Sequence, residues 1–413
     1  MTAAHLAVWL IAGAATAGVV TRPFRLPEAV WAVAGAVALL VTGLLPWTAG
    51  LGAVAKGLDV YLFLAGMMLL SETARREGLF DWVAIHAVNL ADGSPGRLFG
   101  LIFGVGVLVT AFMSNDATAV VLTPAVFAAT RKARVEPLPY LLICAFIANA
   151  ASFVLPISNP ANLVLYGDHT PALGRWLASF ALPSVLAIGA TYAALRLAEA
   201  RRIGASCAAD IEVSKLSSGG RAALAGVAIT AVALTAVSVF DIPLGLPTFA
   251  LGMATAGLVS VLGRESPLAL VGGVSWSVLP LVAGLFVLVE AVDRTGLTAV
   301  LAAALDGGGR WTAPAAGAVI AVGSNLINNL PAGLIASTAI VQGHPSRGVV
   351  DALLIGVDLG PNLSITGSLA TILWLGAIRR EGERVGFWRF LKVGMLVMPP
   401  ALVLALAARL LIG

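Results

Sequence analysis

Long apolar runs separated by short polar stretches dominate this chain. Two stretches, 97–130 and 311–342, are apolar with a polar kink in the middle, and we expect each to be a helical hairpin that returns to its own side of the membrane. The other runs that could cross about 30 Å of hydrocarbon lie near 5–20, 27–46, 58–75, 138–166, 176–198, 221–240, 246–262, 272–290, 348–378 and 388–411. The pattern predicts an all-α polytopic membrane protein with re-entrant hairpins and broken transmembrane helices.

The composition supports a membrane protein. Apolar residues make up 59% of the 413 residues and charged residues only 11%, against about 25% charged residues in soluble proteins. This excludes a soluble enzyme, a nucleic-acid binder and a disulfide scaffold. Only Cys144 and Cys207 carry thiols, and the four histidines fall at predicted termini, interfaces or loops. We therefore expect no metal site, no cofactor and no catalytic residues.

The distribution of Lys and Arg predicts the orientation, because cytoplasmic loops are enriched in these residues. With both termini in the periplasm and both hairpins re-entrant, 19 of the 25 cations lie on the cytoplasmic side. The exceptions are Lys56, Arg175, Arg294, Arg310, Arg347 and Arg409. The polar segment 199–220 becomes a cytoplasmic linker.

The two halves of the chain resemble each other. Residues 65–79 and 283–297 share seven of fifteen positions, including the pairs Glu72/Glu290 and Arg76/Arg294. The charge count indicates that the two copies cross the membrane in opposite directions. We therefore predict two inverted-topology repeats, 1–198 and 221–413, an architecture typical of secondary transporters.

Polar residues interrupt each hairpin and each of the spans 138–166 and 348–378. A broken backbone inside a membrane must be buried in protein or line a cavity, and Asn, Ser and Thr offer donors and acceptors to a ligand. We expect the four breaks to meet in one polar chamber. The predicted substrate-binding residues are Ser114, Asn115, Thr118, Ser158, Asn159, Asn162, Asn328, Asn329, Asn362, Ser364 and Thr366.

Two acids lie beside these breaks. Asp116 follows Asn115 and Asp358 precedes Pro361, and neither acid has an acidic counterpart in the other repeat. Because ionisable residues inside a membrane are costly and usually functional, we predict that Asp116 and Asp358 couple transport to protons. Glu72 and Glu290 lie near span ends beside Arg76 and Arg294, so we expect structural ion pairs there.

The chamber elements contain no Lys or Arg. This holds for 98–130, 135–174, 311–346 and 348–378. A fixed anion would then depend on helix dipoles or co-bound sodium, whereas a small neutral polyol-like solute needs only hydrogen bonds.

Three segments resemble the arsenite efflux permeases (ArsB type) of the ion-transporter superfamily. They are FMSNDATAVVLTP at 112–124, SNLINNLPAGLIAS at 324–337 and GVDLGPNLSITGSLATILWL at 356–375. The resemblance covers nearly the whole chain and implies a scaffold domain, a transport domain and export of arsenite and antimonite across a bacterial inner membrane. It also implies action either alone, as a proton-driven antiporter, or beneath a soluble arsenite-stimulated ATPase. Ser114 and the segment 158–162 depart from the family pattern.

Two other functions stay open from the sequence. A sodium-coupled carboxylate or anion transporter of the same superfamily would be favoured by a clustered Arg or by Ser-Asn-Thr motifs in both halves. The first is absent and the second is only partial. An intramembrane hydrolase would need a dyad at one depth, and Asp116 with Asp358 is the only candidate pair.

Overall fold

The computed structural model describes residues 2–167, 170–212, 215–240, 242–263, 266–306 and 309–412. Within these ranges the secondary structure is entirely helical. The predicted all-α fold is confirmed. Arg264 of the charge count, His169 and residues 213–214 of the predicted linker lie outside the described residues, as does the side chain of Arg25.

Eleven helices precede the central linker. They are α1 (Ala3–Thr21), α2 (Glu28–Val41), α3 (Trp47–Lys56), α4 (Leu58–Arg76), α5 (Leu79–Leu90), α6 (Pro95–Phe112), α7 (Asn115–Ala117), α8 (Thr123–Lys132), α9 (Leu138–Ala150), α10 (Pro160–Tyr166) and α11 (Leu173–Ala198). A π-helical turn, Thr118–Leu122, joins α7 to α8, and a 3-10 turn, Pro156–Ser158, precedes α10.

Ten helices follow the linker. They are α12 (Ser218–Val239), α13 (Gly245–Gly263), α14 (Pro267–Gly273), α15 (Val278–Asp293), α16 (Leu297–Leu305), α17 (Thr312–Ile327), α18 (Asn329–Gly343), α19 (Arg347–Leu359), α20 (Leu369–Arg380) and α21 (Phe387–Ile412). A 3-10 turn, Gly360–Leu363, follows α19. The division into repeats 1–198 and 221–413 stays a prediction.

Six described helices are long and apolar enough to cross a membrane: α1, α6, α11, α12, α13 and α21. Two bent pairs also reach this length, α3 with α4 at 47° and α14 with α15 at 43°. The predicted span 27–46 contains the shorter helix α2, of 14 residues. The predicted spans 138–166 and 348–378 are each two shorter helices separated by a break.

Local chemistry explains where the hairpins turn. Ser114 and Asn328, at the two tips, have positive φ angles of 154° and 74°. Each side chain then caps the returning helix, since Ser114 Oγ accepts from Ala117 N and Asn328 Oδ1 accepts from Leu330 N. Ser and Asn are favoured at such N-cap positions because they satisfy free backbone N–H groups.

The π-helical turn in the first hairpin lies just before Pro124. Proline has no N–H to donate and its ring crowds the preceding turn, so regular α-helical bonding is interrupted there. The Thr123 hydroxyl compensates by donating to the carbonyl of Thr118 at 3.1 Å.

The helices pack in two groups. In one group α4 packs along α13, and α15 lies against α2 and α3. A Cβ at Gly66 or Gly252 would collide with the backbone of the opposite helix, so these glycines allow the close approach of α4 and α13. In the other group α11 packs along α21, α17 against α19, and α6 against α9.

Contacts between loops join segments that the charge count assigns to the same side. At one end, which we call the arginine-rich face, Arg202 pairs with Glu136 at 2.9 Å and Ser217 donates to Glu77 at 2.7 Å. At the opposite face, Lys56 pairs with Glu290 at 2.9 Å. The assignment of the arginine-rich face to the cytoplasm stays a prediction from the charge count.

Candidate functional site

A small cavity lies where both hairpin tips meet both broken spans. Its volume is about 260 Å³, counted with its open mouth. The first hairpin contributes Asn115 and Asp116, the second contributes Asn329, and the first broken span contributes Asn159. The remaining lining is Leu64, Pro160, Val278, Leu330, Leu369 and Ala370. Four of the predicted site residues therefore share one cavity.

Helices begin at this cavity. Asn115 and Asn329 are the first residues of α7 and α18, and Leu369 is the first residue of α20. Asn159 caps α10 by accepting from Ala161 N at 3.0 Å. Helix N-termini present free N–H groups and a positive potential, so the cavity combines backbone donors with side-chain acceptors.

Two amide oxygens at the cavity lack hydrogen-bond partners. Oδ1 of Asn115 and Oδ1 of Asn329 are buried and unpaired. Because a buried polar atom without a partner costs about 1–3 kcal/mol, its presence in a cavity indicates a position for a ligand or water. Both atoms are acceptors, so the missing partner is a hydrogen-bond donor.

The Asp116 side chain is the acidic group of the cavity. It is partly accessible, and no hydrogen bond or ion pair joins it to any residue in the described part of the chain. No Lys or Arg lines the cavity. A carboxyl group in this position can accept a donor when it is ionised and can give one when it is protonated.

Asp358 lies behind the cavity, where the two broken spans cross. It is fully buried at the end of α19, and its Oδ1 accepts from Asn159 Nδ2 at 2.7 Å. Its second oxygen has no partner. Asn159 thus touches the cavity on one side and Asp358 on the other.

The other predicted site residues hold the broken backbone. Asn162 Nδ2 donates to the carbonyls of Ser152 and Leu155, and Ser158 Oγ donates to that of Ala111. Thr118 bonds Thr110 between the hairpin arms. Beneath the second tip, Asn328 Nδ2 donates to the carbonyl of Thr366, and the hydroxyls of Ser364 and Thr366 bond each other. Both hydroxyls also bond Asn325, that of Ser364 at Oδ1 and that of Thr366 at the carbonyl. Ser114 caps the first tip and faces a neighbouring cavity.

Sequence reasoning missed Asn149. This fully buried residue donates through Nδ2 to Asn362 Oδ1 at 3.0 Å and to Thr371 Oγ1 at 3.2 Å. It is the penultimate residue of α9, as Asp358 is of α19. By its place at the end of α9, Asn149 is therefore the counterpart in the first half of Asp358 in the second half. The proline spacing does not reveal the pair, because Asp358 lies three residues before Pro361 whereas Asn149 lies seven residues before Pro156.

A second cavity connects Asp116 to the arginine-rich face. It has a volume of about 610 Å³, counted with its open mouth, and shares Leu64, Asp116, Pro160 and Val278 with the first cavity. It ends at Glu72 and the break between α14 and α15, at Gly273 and Ser275. The site is thus open towards this face. We call this cavity the vestibule.

The repeated acids form the ion pairs expected from the sequence. Glu72 bonds Arg75 at 2.6 Å and Arg76 at 2.8 Å, and Glu290 bonds Lys56 at 2.9 Å and Arg294 at 3.1 Å. A Cβ at Gly273 would collide with the Glu72 carboxylate. Each acid therefore reaches the break of the opposite bent pair, Glu72 at α14–α15 and Glu290 at α3–α4.

The all-helical fold, the broken helices and the polar cavity between them define a membrane transporter of the broken-helix type. Comparison with known proteins identifies the family. The citrate transporter family, CitMHS, matches residues 8–357, and the chain belongs to this family.

Proteins similar in sequence to this chain include arsenical pump membrane proteins. That of Escherichia coli K12 is 29% identical over 407 residues, covering 91% of this chain and 92% of the relative. That of Yersinia enterocolitica is 28% identical over 363 residues, covering 83% of each. The transport class inferred from the sequence is therefore confirmed, as is the resemblance to this group.

A solved structure shares the fold. The YdaH transporter of Alcanivorax borkumensis, described as having an unusual topology, has a TM-score of 0.56 over 88% of this chain and 87% of its own. Its sequence identity is 18%, so this likeness supports the fold and not a substrate.

Proposed function

We propose that this protein exports arsenite, and antimonite as a close chemical analogue, by exchange with protons. The observation that carries the proposal is the pair of unpartnered acceptor oxygens of Asn115 and Asn329 beside Asp116, in a cavity without Lys or Arg. Arsenous acid is a small, largely neutral trihydroxy species at pH 7. Its hydroxyl groups are the donors that these oxygens lack.

Oxygen ligands also suit an exporter, which must release its substrate. Tight arsenite binding needs three thiolates, whereas neither described cysteine lines the cavity. Arsenical pump membrane proteins among the relatives support the same substrate. We extend the proposal to a bacterial inner membrane, with the protein acting alone or beneath a soluble ATPase.

The coupling step is assigned to Asp116 and Asp358. Asp116 lies in the cavity, and Asp358 reaches it through Asn159 at 2.7 Å. An ionised carboxylate offers two acceptor oxygens to the hydroxyl groups of the substrate, and protonation converts one of them into a donor. Proton uptake therefore favours substrate release, as antiport requires.

The test is arsenite uptake by inverted vesicles that contain the purified protein and no ATP. We expect uptake to follow an inside-acid gradient and to stop when a protonophore removes it. Uptake that persists with the protonophore but requires a sodium gradient would contradict proton exchange. Uptake that requires ATP and the added soluble ATPase would assign the protein to a pump.

A sodium-coupled carboxylate transporter is the second candidate. The family description, citrate transporter, and the helix N-termini at the cavity favour an anion. The absence of a cation from the cavity lining argues against a tricarboxylate, because a bidentate Arg is the usual partner of a carboxylate. Labelled citrate offered to the same vesicles under a sodium gradient decides between the two, and we expect no citrate uptake.

A further inference from the structure

The two halves pack differently beside their hairpins. In the first half, α5 packs against both α6 and α8 and buries Phe80, Ala84 and Val88. In the second half, α16 holds the equivalent place after the repeated segment but packs mainly against α18. The space that α5 fills with side chains is left open beside α16.

This space is a groove between α16, α17, α18 and α19. Its volume is about 1280 Å³, counted with its open side. Small and aliphatic residues line it, and they include Ala304, Ala316, Gly323, Ala336 and Leu353. Its mouth is open between exposed residues of α16 and α17, among them Leu301 and Val319. Both helices are apolar and α17 is the first arm of the predicted second hairpin, so we expect the groove to open to the hydrocarbon of the bilayer and not to water.

The two ends of the groove differ in chemistry. Trp311 lies at the outer end, and the Arg310 guanidinium lies over its ring at 5.1 Å. Ile327 and Ala332 lie at the inner end, next to the hairpin tip at Asn328 and Asn329. The 16 residues of α17 between these ends extend about 24 Å at 1.5 Å per residue, which is a length suited to one acyl chain.

We propose that this groove binds one phospholipid. Its acyl chain lies between α16 and the second hairpin, and its phosphate contacts Arg310 at the opposite face. Basic residues at the end of intramembrane grooves bind lipid headgroups, and Trp is favoured at the same depth. Water in so apolar a groove would lack polar partners, whereas a hydrocarbon chain fills it at no such cost.

The position of the groove gives the lipid a mechanical role. A chain that reaches Ile327 supports the second hairpin directly beneath the Asn328 cap and the unpaired Asn329 oxygen. The bound lipid then helps to hold this tip against the broken spans. This inference rests on the packing of the hairpin and is independent of the substrate.

The test uses a matched pair of glycine variants. Neither Gly323 nor Gly257 has any atom within 4 Å of a built Cβ, but Gly323 lines the groove and Gly257 lies exposed on α13. Wild type, Gly323→Leu and Gly257→Leu are reconstituted with phosphatidylglycerol and phosphatidylethanolamine, extracted into mild detergent and analysed by native mass spectrometry. We expect one retained phospholipid per chain in wild type and Gly257→Leu, and none in Gly323→Leu.

Arg310→Gln provides a second variant, which leaves the groove itself unchanged. We expect it to weaken phospholipid retention about fivefold, from the loss of one cationic headgroup contact. Wild type without retained lipid, or Gly323→Leu with the same lipid as wild type, would overturn the proposal. A change from dimer to monomer in Gly323→Leu would assign the groove to a second copy of the chain and overturn it as well.

Discussion

Substitution of Asp116 gives the most direct test of the proposed proton coupling. Its carboxyl lines the cavity and no partner in the described chain holds it. Asp116→Asn keeps the size of the side chain but fixes it neutral. We expect gradient-driven arsenite accumulation in inverted vesicles to fall to background, while downhill arsenite exchange between the two sides persists.

Asp358→Asn is the companion variant, because the proposal assigns the coupling step to both acids. Asp358 accepts a hydrogen bond from Asn159 and lies behind the cavity. Its substitution therefore tests the indirect link to the cavity through Asn159 and not direct contact with substrate. Normal accumulation by Asp116→Asn together with its loss in Asp358→Asn would move the proton site to the second repeat. Normal accumulation by both variants would show that neither acid carries the proton.

The cysteines give a prediction about substrate chemistry. Cys144 is fully buried in α9, with its Sγ 3.8 Å from the carbonyl of Tyr140, and Cys207 lies in the linker near Gly93. Neither lines the cavity or the vestibule. We expect cells that express Cys144→Ser/Cys207→Ser to keep nearly all of their arsenite resistance. Loss of resistance at normal membrane expression would contradict an oxygen-ligand site.

At the scale of helices, Asn149 joins the two broken spans. Its Nδ2 donates from α9 to Asn362 and Thr371 in the second broken span. Asn149→Ala would leave the buried Oδ1 of Asn362 without a donor, which costs about 1–3 kcal/mol, whereas Thr371 Oγ1 keeps its bond to Ser368 Oγ at 2.9 Å. We expect a lower thermal midpoint of the purified protein in detergent, together with a loss of transport.

Thr338→Ala is a suitable control for Asn149→Ala. The Thr338 hydroxyl bonds only the carbonyl of Leu334 in its own helix, so its removal breaks no contact between elements. Equal effects of the two substitutions on the thermal midpoint would argue against a special role for the crossing.

The sequence predicted which elements form the site better than it predicted which of their residues line the cavity. Hydropathy and the Asn-Pro interruptions located both hairpins and both breaks, because an apolar run and a helix-breaking residue are local signals. The tips at Asn115 and Asn329 followed from the same signals. Which Asn faces the cavity depends on how four elements cross, and so Asn162 and Asn362 were indistinguishable from Asn159 until the packing was known.

Asn149 could not be recognised as a site residue from the sequence for a related reason. It lies within an apolar helix whose 13 residues are all buried, with no proline or glycine beside it in the sequence. Only the positions at which α9 and α19 end show that it is the counterpart of Asp358. The local sequence pattern does not show where α9 ends.

At the scale of the whole molecule, the two bent pairs relate the site to the two faces. Glu290 ties the end of α15 to Lys56 at the opposite face. The vestibule instead runs from Asp116 to Glu72 and Ser275 at the arginine-rich face. The site is therefore open towards the arginine-rich face, as in one of the two states of an alternating-access cycle.

The sidedness of this opening gives the last prediction. Ser275 is exposed at the mouth of the vestibule, and Ser346 is exposed before α19 on the opposite face. In the Cys144→Ser/Cys207→Ser background, each serine is replaced by cysteine and treated with a membrane-impermeant maleimide. Because the charge count places the arginine-rich face in the cytoplasm, we expect Ser275→Cys to react in inside-out vesicles and Ser346→Cys in intact cells. Exchange of the two results would reverse the orientation alone, whereas reaction of both from one side would require that a hairpin crosses the membrane.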